Sequence, residues 1–205
     1  AGRMQWPLLH QWHNVVRGLK AAGRIYGGTV VSVGVDTWGV DFAFLGRHDE
    51  LLGNPYHDRD RRTVGILEKA FQIVPREEIF QQTGLQFMEF NSLYQWLAMK
   101  QAVSPILDVA KSFLMVPDLF HWLLTGVKAN EFTDATTTQF LNPKTGKWAT
   151  DLLGKFGLPT EVLCDIARSI WNNGFHRIIM LNGHGGNEAP NWTASVKLAE
   201  DDVWA

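Results

Sequence analysis

Residues 29–46 read TVVSVGVDTWGVDFAFLG. Two apolar runs, rich in β-branched and aromatic residues, are split by a polar step, Asp36-Thr37-Trp38-Gly39, and Asp41 follows two residues later. The first run starts after Gly27 and Gly28 and is apolar enough for a central strand. The second predicts a strand over 39–46, a turn at RHDE and a returning partner at LLGNP. A hairpin or meander is therefore expected across 29–55. Polar groups at the end of a buried strand are costly unless they find partners. Two readings follow. One is a tight turn with a packed tryptophan. The other is a ligand pocket: Trp38 offers an apolar face, the carboxylates accept hydrogen bonds, and Gly39 lets a ligand reach the backbone. That combination suits a sugar, with hydroxyls on its edge and C–H groups on its face.

Upstream, residues 4–22 place Leu8, Leu9, Trp12, Val15, Val16 and Leu19 at helical spacing. Pro7 suits a first turn and Gly23 a stop. From Asp60 the period changes. Helices are expected over 60–74, 76–83, 91–101, 104–114 and 117–125, with breaks at Pro75, Gly84, Pro105, Pro117 and Gly126. LNPKTGKWAT reads as a loop and TDLLGKFGLP as a short helix. The end resets the pattern: DIARSIWNNG as helix, FHRIIMLNG as strand, HGGNE as loop and APNWTASVKLAEDD as helix form one α–β–α unit. The fold class is α/β.

A net charge of −2 with scattered basic residues gives no electrostatic case for nucleic acid or an anionic membrane. No apolar run is long enough to span a bilayer, and no early segment reads as a signal peptide. The single cysteine, Cys164, excludes a disulfide within the chain and any cysteine-based zinc motif. A reducing, cytoplasmic location is expected. KTGKW is not a phosphate loop, because Leu141 stands where a glycine is needed and Trp148 follows Lys147. Trp6, Trp12, Trp96, Trp122 and Trp148 are read as core.

Five strings, in order, carry a resemblance: VGVDTWGVDFAFL, LLGNPYHDRDRRT, VPREEIFQQTGLQFMEFNSLYQ, LMVPDLFHWLLTG and NEFTDATTTQFLNPKTGKW. Over about residues 1–165 the chain resembles the rhamnulokinase group of the FGGY sugar kinases. The resemblance implies an actin-like (ribonuclease-H-like) domain with a mixed sheet and many helices. It implies transfer of the γ-phosphoryl group of ATP, with Mg²⁺, to the small sugar L-rhamnulose. By position Gly39 matches a sugar contact, Thr37 and Trp38 line the same pocket, and Asp60 lies nearby. Asp134 and Thr137 match a family signature read as structural. Asp58 stands where the family has tyrosine. The family's first phosphate hairpin and its His-Asp-Thr-Ala-type catalytic motif have no match here. No catalytic residue is therefore assigned, and an incomplete kinase without turnover is expected.

The stretch DIARSIWNNGFHRIIMLNGHGGNEAP instead resembles the creatininase family of metal-dependent amidohydrolases, over about residues 163–205. That resemblance makes His184 a ligand for a divalent metal, Zn²⁺ or Mn²⁺. Gly186 stands where creatininase has a glutamate ligand, and the upstream ligands have no match. The expected division is 1–165 and 166–205, a junction of two unrelated pieces. An amidohydrolase fragment, and a chimeric chain with no activity, are the alternatives. The oligomeric state is left open.

Overall fold

The computed structural model describes residues 2–30, 32–167 and 180–182. In chain order its elements are α1 (Leu8–Tyr26), β1 (Gly34–Asp36), β2 (Phe42–Leu45), α2 (Ile66–Ile73), α3 (Arg76–Thr83), α4 (Ser92–Gln101), α5 (Ile106–Val109), β3 (Ser112–Met115), α6 (Val116–Thr125), β4 (Ala129–Glu131), α7 (Phe132–Thr136), β5 (Leu141–Asn142), β6 (Lys147–Trp148), α8 (Thr150–Lys155), β7 (Asp165–Ala167) and β8 (Met180–Asn182). The chain divides into two compact units. One joins Ala1–Pro7 to Gly39–Ala167, and the other joins Leu8–Trp38 to Arg168–Ala205.

In the second unit, α1 carries the expected stripe except at one position: Leu8 is buried and Trp12, Val15, Val16 and Leu19 are half-buried, whereas Leu9 is exposed. The helix does not stop at Gly23 but continues to Tyr26. An interior glycine costs about 1 kcal/mol, which a long helix tolerates, and Arg24 in the last turn complements the helix dipole. The strand expected from residue 27 shrinks to β1, preceded by a 3₁₀ turn at Gly27–Thr29. β1 pairs in parallel with β8, Gly34 opposite Met180 and Asp36 opposite Asn182. So Met180–Asn182 of the expected strand is strand. His184 and the rest of the expected α–β–α unit, apart from its first three residues at 165–167, lie outside the described residues.

The first unit is mixed α/β. β2 runs antiparallel to β3, from Phe42 opposite Met115 to Leu45 opposite Ser112, and all eight residues are buried. This corrects two expectations. The partner expected at 51–55 reaches β2 only through an isolated bridge, Leu45 to Leu51, and through the bond from Leu52 N to Phe44 O. The helix expected over 104–114 is only α5. Its tail is β3, because pairing with β2 outweighs the local preference of a short apolar run. The Asn130 side chain ties β4 to β3: its Oδ1 accepts Met115 N–H at 3.0 Å and its Nδ2 donates to Phe113 O at 3.1 Å. β4 pairs in parallel with β7, so the helix expected from Asp165 begins instead as a strand. The expected loop at 141–150 is a small hairpin of β5 and β6.

The core forms around α4, in which every residue from Ser92 to Met99 is buried. Trp96 stacks on Phe113 (5.3 Å, 21°) and lies 4.8 Å from Phe140, with Phe42 and Phe44 tilted against the same rings. Such contacts add to the area that the rings bury. α3 and α6 end where punctuation predicts. Gly84 and Gly126 take positive φ (64° and 78°) and donate to Phe80 O and Trp122 O.

Candidate functional site

The expected site residues fall in both units. Thr37, buried, and Trp38, half-buried, belong to the unit of α1 and β1. Gly39 and Asp60 belong to the other. In that first unit, Gly39 begins a sharp turn into β2. Asp41 N donates to Gly39 O at 2.8 Å, and Val40 between them has φ 64°. Gly39 is required by space: a methyl group there would sit 2.9 Å from Thr137 Cγ2 and Oγ1 and 3.1 Å from Asp134 Oδ1. The TDATTTQ signature is thus the wall behind this turn.

Asp41 is fully buried and gathers donors from distant segments. Trp6 Nε1 donates at 2.6 Å, Gln95 Nε2 at 3.0 Å and Asp58 N at 3.2 Å. Trp6 also stacks on His57 at 4.1 Å. Trp6 was expected in the core; its indole N–H instead fixes the carboxylate behind the turn. Gln95 continues the network, because its Oε1 accepts from Arg62 Nη2 at 2.5 Å. Arg62 lies 4.0 Å over the Tyr56 ring and closes on Asp60, whose Oδ1 accepts Arg62 N–H at 2.9 Å.

Asp60 is the anchor for the N-terminal segment. Its Oδ2 accepts Met4 N–H at 2.7 Å, and its Oδ1 lies 3.3 Å from Arg3 Nη1. Residues 3–6 lie along this edge: Gln5 bridges Tyr56, Trp6 N donates to Pro55 O, and His57 N donates to Met4 O. Burial pushes the Asp60 carboxyl up. The N–H groups of Met4 and Arg62 and the two guanidiniums outweigh it and hold the group below its ordinary value. Burial pulls Arg62 down to about 10, against Asp60 and Asp41, which favour its charge. The result is a pre-organised polar edge of alternating carboxylates, amide and guanidinium.

The family comparison gives the class. The chain belongs to the FGGY family of carbohydrate kinases, whose N-terminal domain matches residues 2–186. That match runs past the expected boundary at 165 and over His184. More particularly, the chain is similar to rhamnulokinases. It is 42% identical over 165 residues to that of Halalkalibacterium halodurans, covering 80% of this chain and 35% of the relative. It is 40% identical over 160 residues to that of Mannheimia succiniciproducens, covering 78% and 33%. The chain thus spans about a third of the length of these relatives. The fold is that of solved sugar kinases. A ligand-bound xylulose kinase from Lactobacillus acidophilus aligns with a TM-score of 0.74 at 22% identity, over 82% of this chain and 34% of the other. A Plasmodium falciparum glycerol kinase with ADP aligns with a TM-score of 0.63 at 16% identity, over 81% and 37%.

A kinase family implies a nucleotide and a divalent cation. Among the described residues, Asp41, His57 and Asp58 bring one ligand atom each within 4.8 Å of one another. They do not fit Mg²⁺, which demands near-octahedral oxygen coordination. The Asp41 oxygens already accept three N–H groups, and His57 Nδ1 faces both Arg59 N–H (3.1 Å) and Asp58 Oδ1 (2.6 Å). The KTGKW turn is also committed internally. Asn142 Oδ1 accepts from Lys144 N and Thr145 N, and Gly146 N donates to Asn142 O. Its N–H groups are not arrayed for a phosphate. No helix of the described residues is long and apolar enough to cross a membrane.

Proposed function

We propose that this chain is the sugar-holding part of a kinase that phosphorylates L-rhamnulose with ATP. The observation that carries the proposal is the 42% identity to a rhamnulokinase over 165 residues, 80% of this chain. Gly39 is assigned to meet the sugar through its backbone by the family resemblance; the space a side chain would take is filled by Thr137 and Asp134. From the family resemblance alone, Thr37 and Trp38 are assigned to sugar binding, with a hydroxyl and an aromatic face to offer. Asp60 is assigned to hold the polar edge in register. ATP supplies the phosphoryl group and a divalent cation neutralises its charge when both are bound. The described residues are assigned binding and orientation of the sugar, which in phosphoryl transfer is a large part of catalysis.

Titration calorimetry of the folded chain with L-rhamnulose tests this. A saturable heat at millimolar sugar, abolished in Trp38→Ala, is expected. A folded chain that gives no heat at millimolar L-rhamnulose overturns the proposal.

A further inference from the structure

We infer that Thr137 is a positioning residue: it holds the 39–41 turn in a strained conformation that presents Gly39 to the sugar. The inference rests on the sugar reading above. Its ground is the geometry of Val40. A hydrogen bond from Asp41 N to Gly39 O, 2.8 Å, closes a three-residue turn, and the central residue is a β-branched valine at φ 64°. That turn is strained, and it is rare for such a side chain. A glycine at position 40 would adopt the same φ without steric cost. With valine, the turn persists only because its surroundings over-determine it.

Those surroundings are side chains. Val40 N–H donates to Thr137 Oγ1 at 3.0 Å. Val40 O accepts from Ser92 Oγ at 2.6 Å and from Gln95 Nε2 at 3.2 Å. Both backbone polar groups of the strained residue are thus gripped, one from α4 and one from the end of α7. Thr137 is set for its part. Its hydroxyl proton is directed to Asp134 O at 2.7 Å, which leaves the oxygen free to accept Val40 N–H. The same side chain fills the space beside Gly39, so one residue fixes both the position and the conformation of the turn. Serine keeps the hydroxyl relay, whereas valine keeps the shape and loses it.

The test is a set of variants measured by L-rhamnulose calorimetry, hydrogen exchange at the Val40 amide and thermal unfolding. Thr137→Val is expected to bind the sugar about tenfold more weakly, with fast exchange at Val40. Thr137→Ser is expected to stay within about twofold of the parent. Adding Val40→Gly to Thr137→Val removes the strain and is expected to recover most of the affinity. Parent-like affinity in Thr137→Val, a tenfold loss in Thr137→Ser, or no recovery in the double variant overturns the inference. If Thr137→Val does not fold, the serine variant decides: it must bind like the parent and keep the Val40 amide protected. A parent chain that takes up no sugar is a separate result. It overturns the sugar reading itself, and this inference with it.

Discussion

Asp60 and Asp118 are both buried, 5% and 1% exposed, in the same unit, yet their surroundings drive them in opposite directions. Asp60 collects two backbone N–H groups and two guanidiniums, and its carboxyl is held below the ordinary value despite burial. Asp118, in the first turn of α6, is pushed up to about 7 by burial. One N–H, from Glu131 at 3.0 Å, opposes that, and the Glu131 carboxylate adds to it. Its Oδ2 is buried with no hydrogen-bond partner among the described residues. Burial alone therefore does not decide what an aspartate does; the number of donors arranged around it does. The chain provides donors at the edge that holds its proposed ligand site. It leaves a deficit beneath α6.

The largest break in this comparison is Asp60→Ala. It strips the anchor from Arg3 and Met4 and removes a partner of the half-buried Arg62, at a cost of about 2–4 kcal/mol at pH 7 by denaturant unfolding. Because the folded pKa of Asp60 is lowered, its contribution is present above the unfolded value of 3.8 and is lost as pH falls through the folded one. Parent and variant should therefore converge in strong acid. Asp118→Asn sharpens the other side. Its folded pKa is raised, so the parent's extra stability is full below 3.8 and is lost as pH rises through about 7. Asparagine keeps the oxygen that accepts Glu131 N–H and carries no charge. It is expected to gain about 1–3 kcal/mol at pH 8 and nothing at pH 4. The smallest effect is at an exposed carboxylate. Lys128→Ala breaks a 2.5 Å pair with Asp49, whose side chain is 45% exposed, and should cost about 0.5 kcal/mol or less.

How much of this the sequence carries depends on how local the determinants are. α3 is legible to the residue, because Pro75 and Gly84 bracket it. The DTWGVDF string announces a polar turn at a strand end, and the turn is there. β3 and β7 are misread as helix, since SFLM and DIA are short and neither periodicity is decisive over so few residues. Their strand character comes from partners 67 or more positions upstream in β2 and 36 positions upstream in β4, as in Leu45 opposite Ser112 and Glu131 opposite Ala167. Two parts of the site are hidden for the same reason. Trp6 reaches Asp41 across 35 positions and Gln95 reaches it across 54. No local pattern marks a tryptophan in a seven-residue tail as a carboxylate donor. Asp134 and Thr137 were visible as a signature. Their packing against Gly39 needed the fold.

The most direct test of the central claim is an amide ¹H–¹⁵N titration of the chain with L-rhamnulose. The largest shifts are expected at Gly39, Val40 and Asp41, with smaller ones at Asp60 and Arg62. Saturating shifts confined to other parts of the chain, or no shifts at millimolar sugar, would contradict the account.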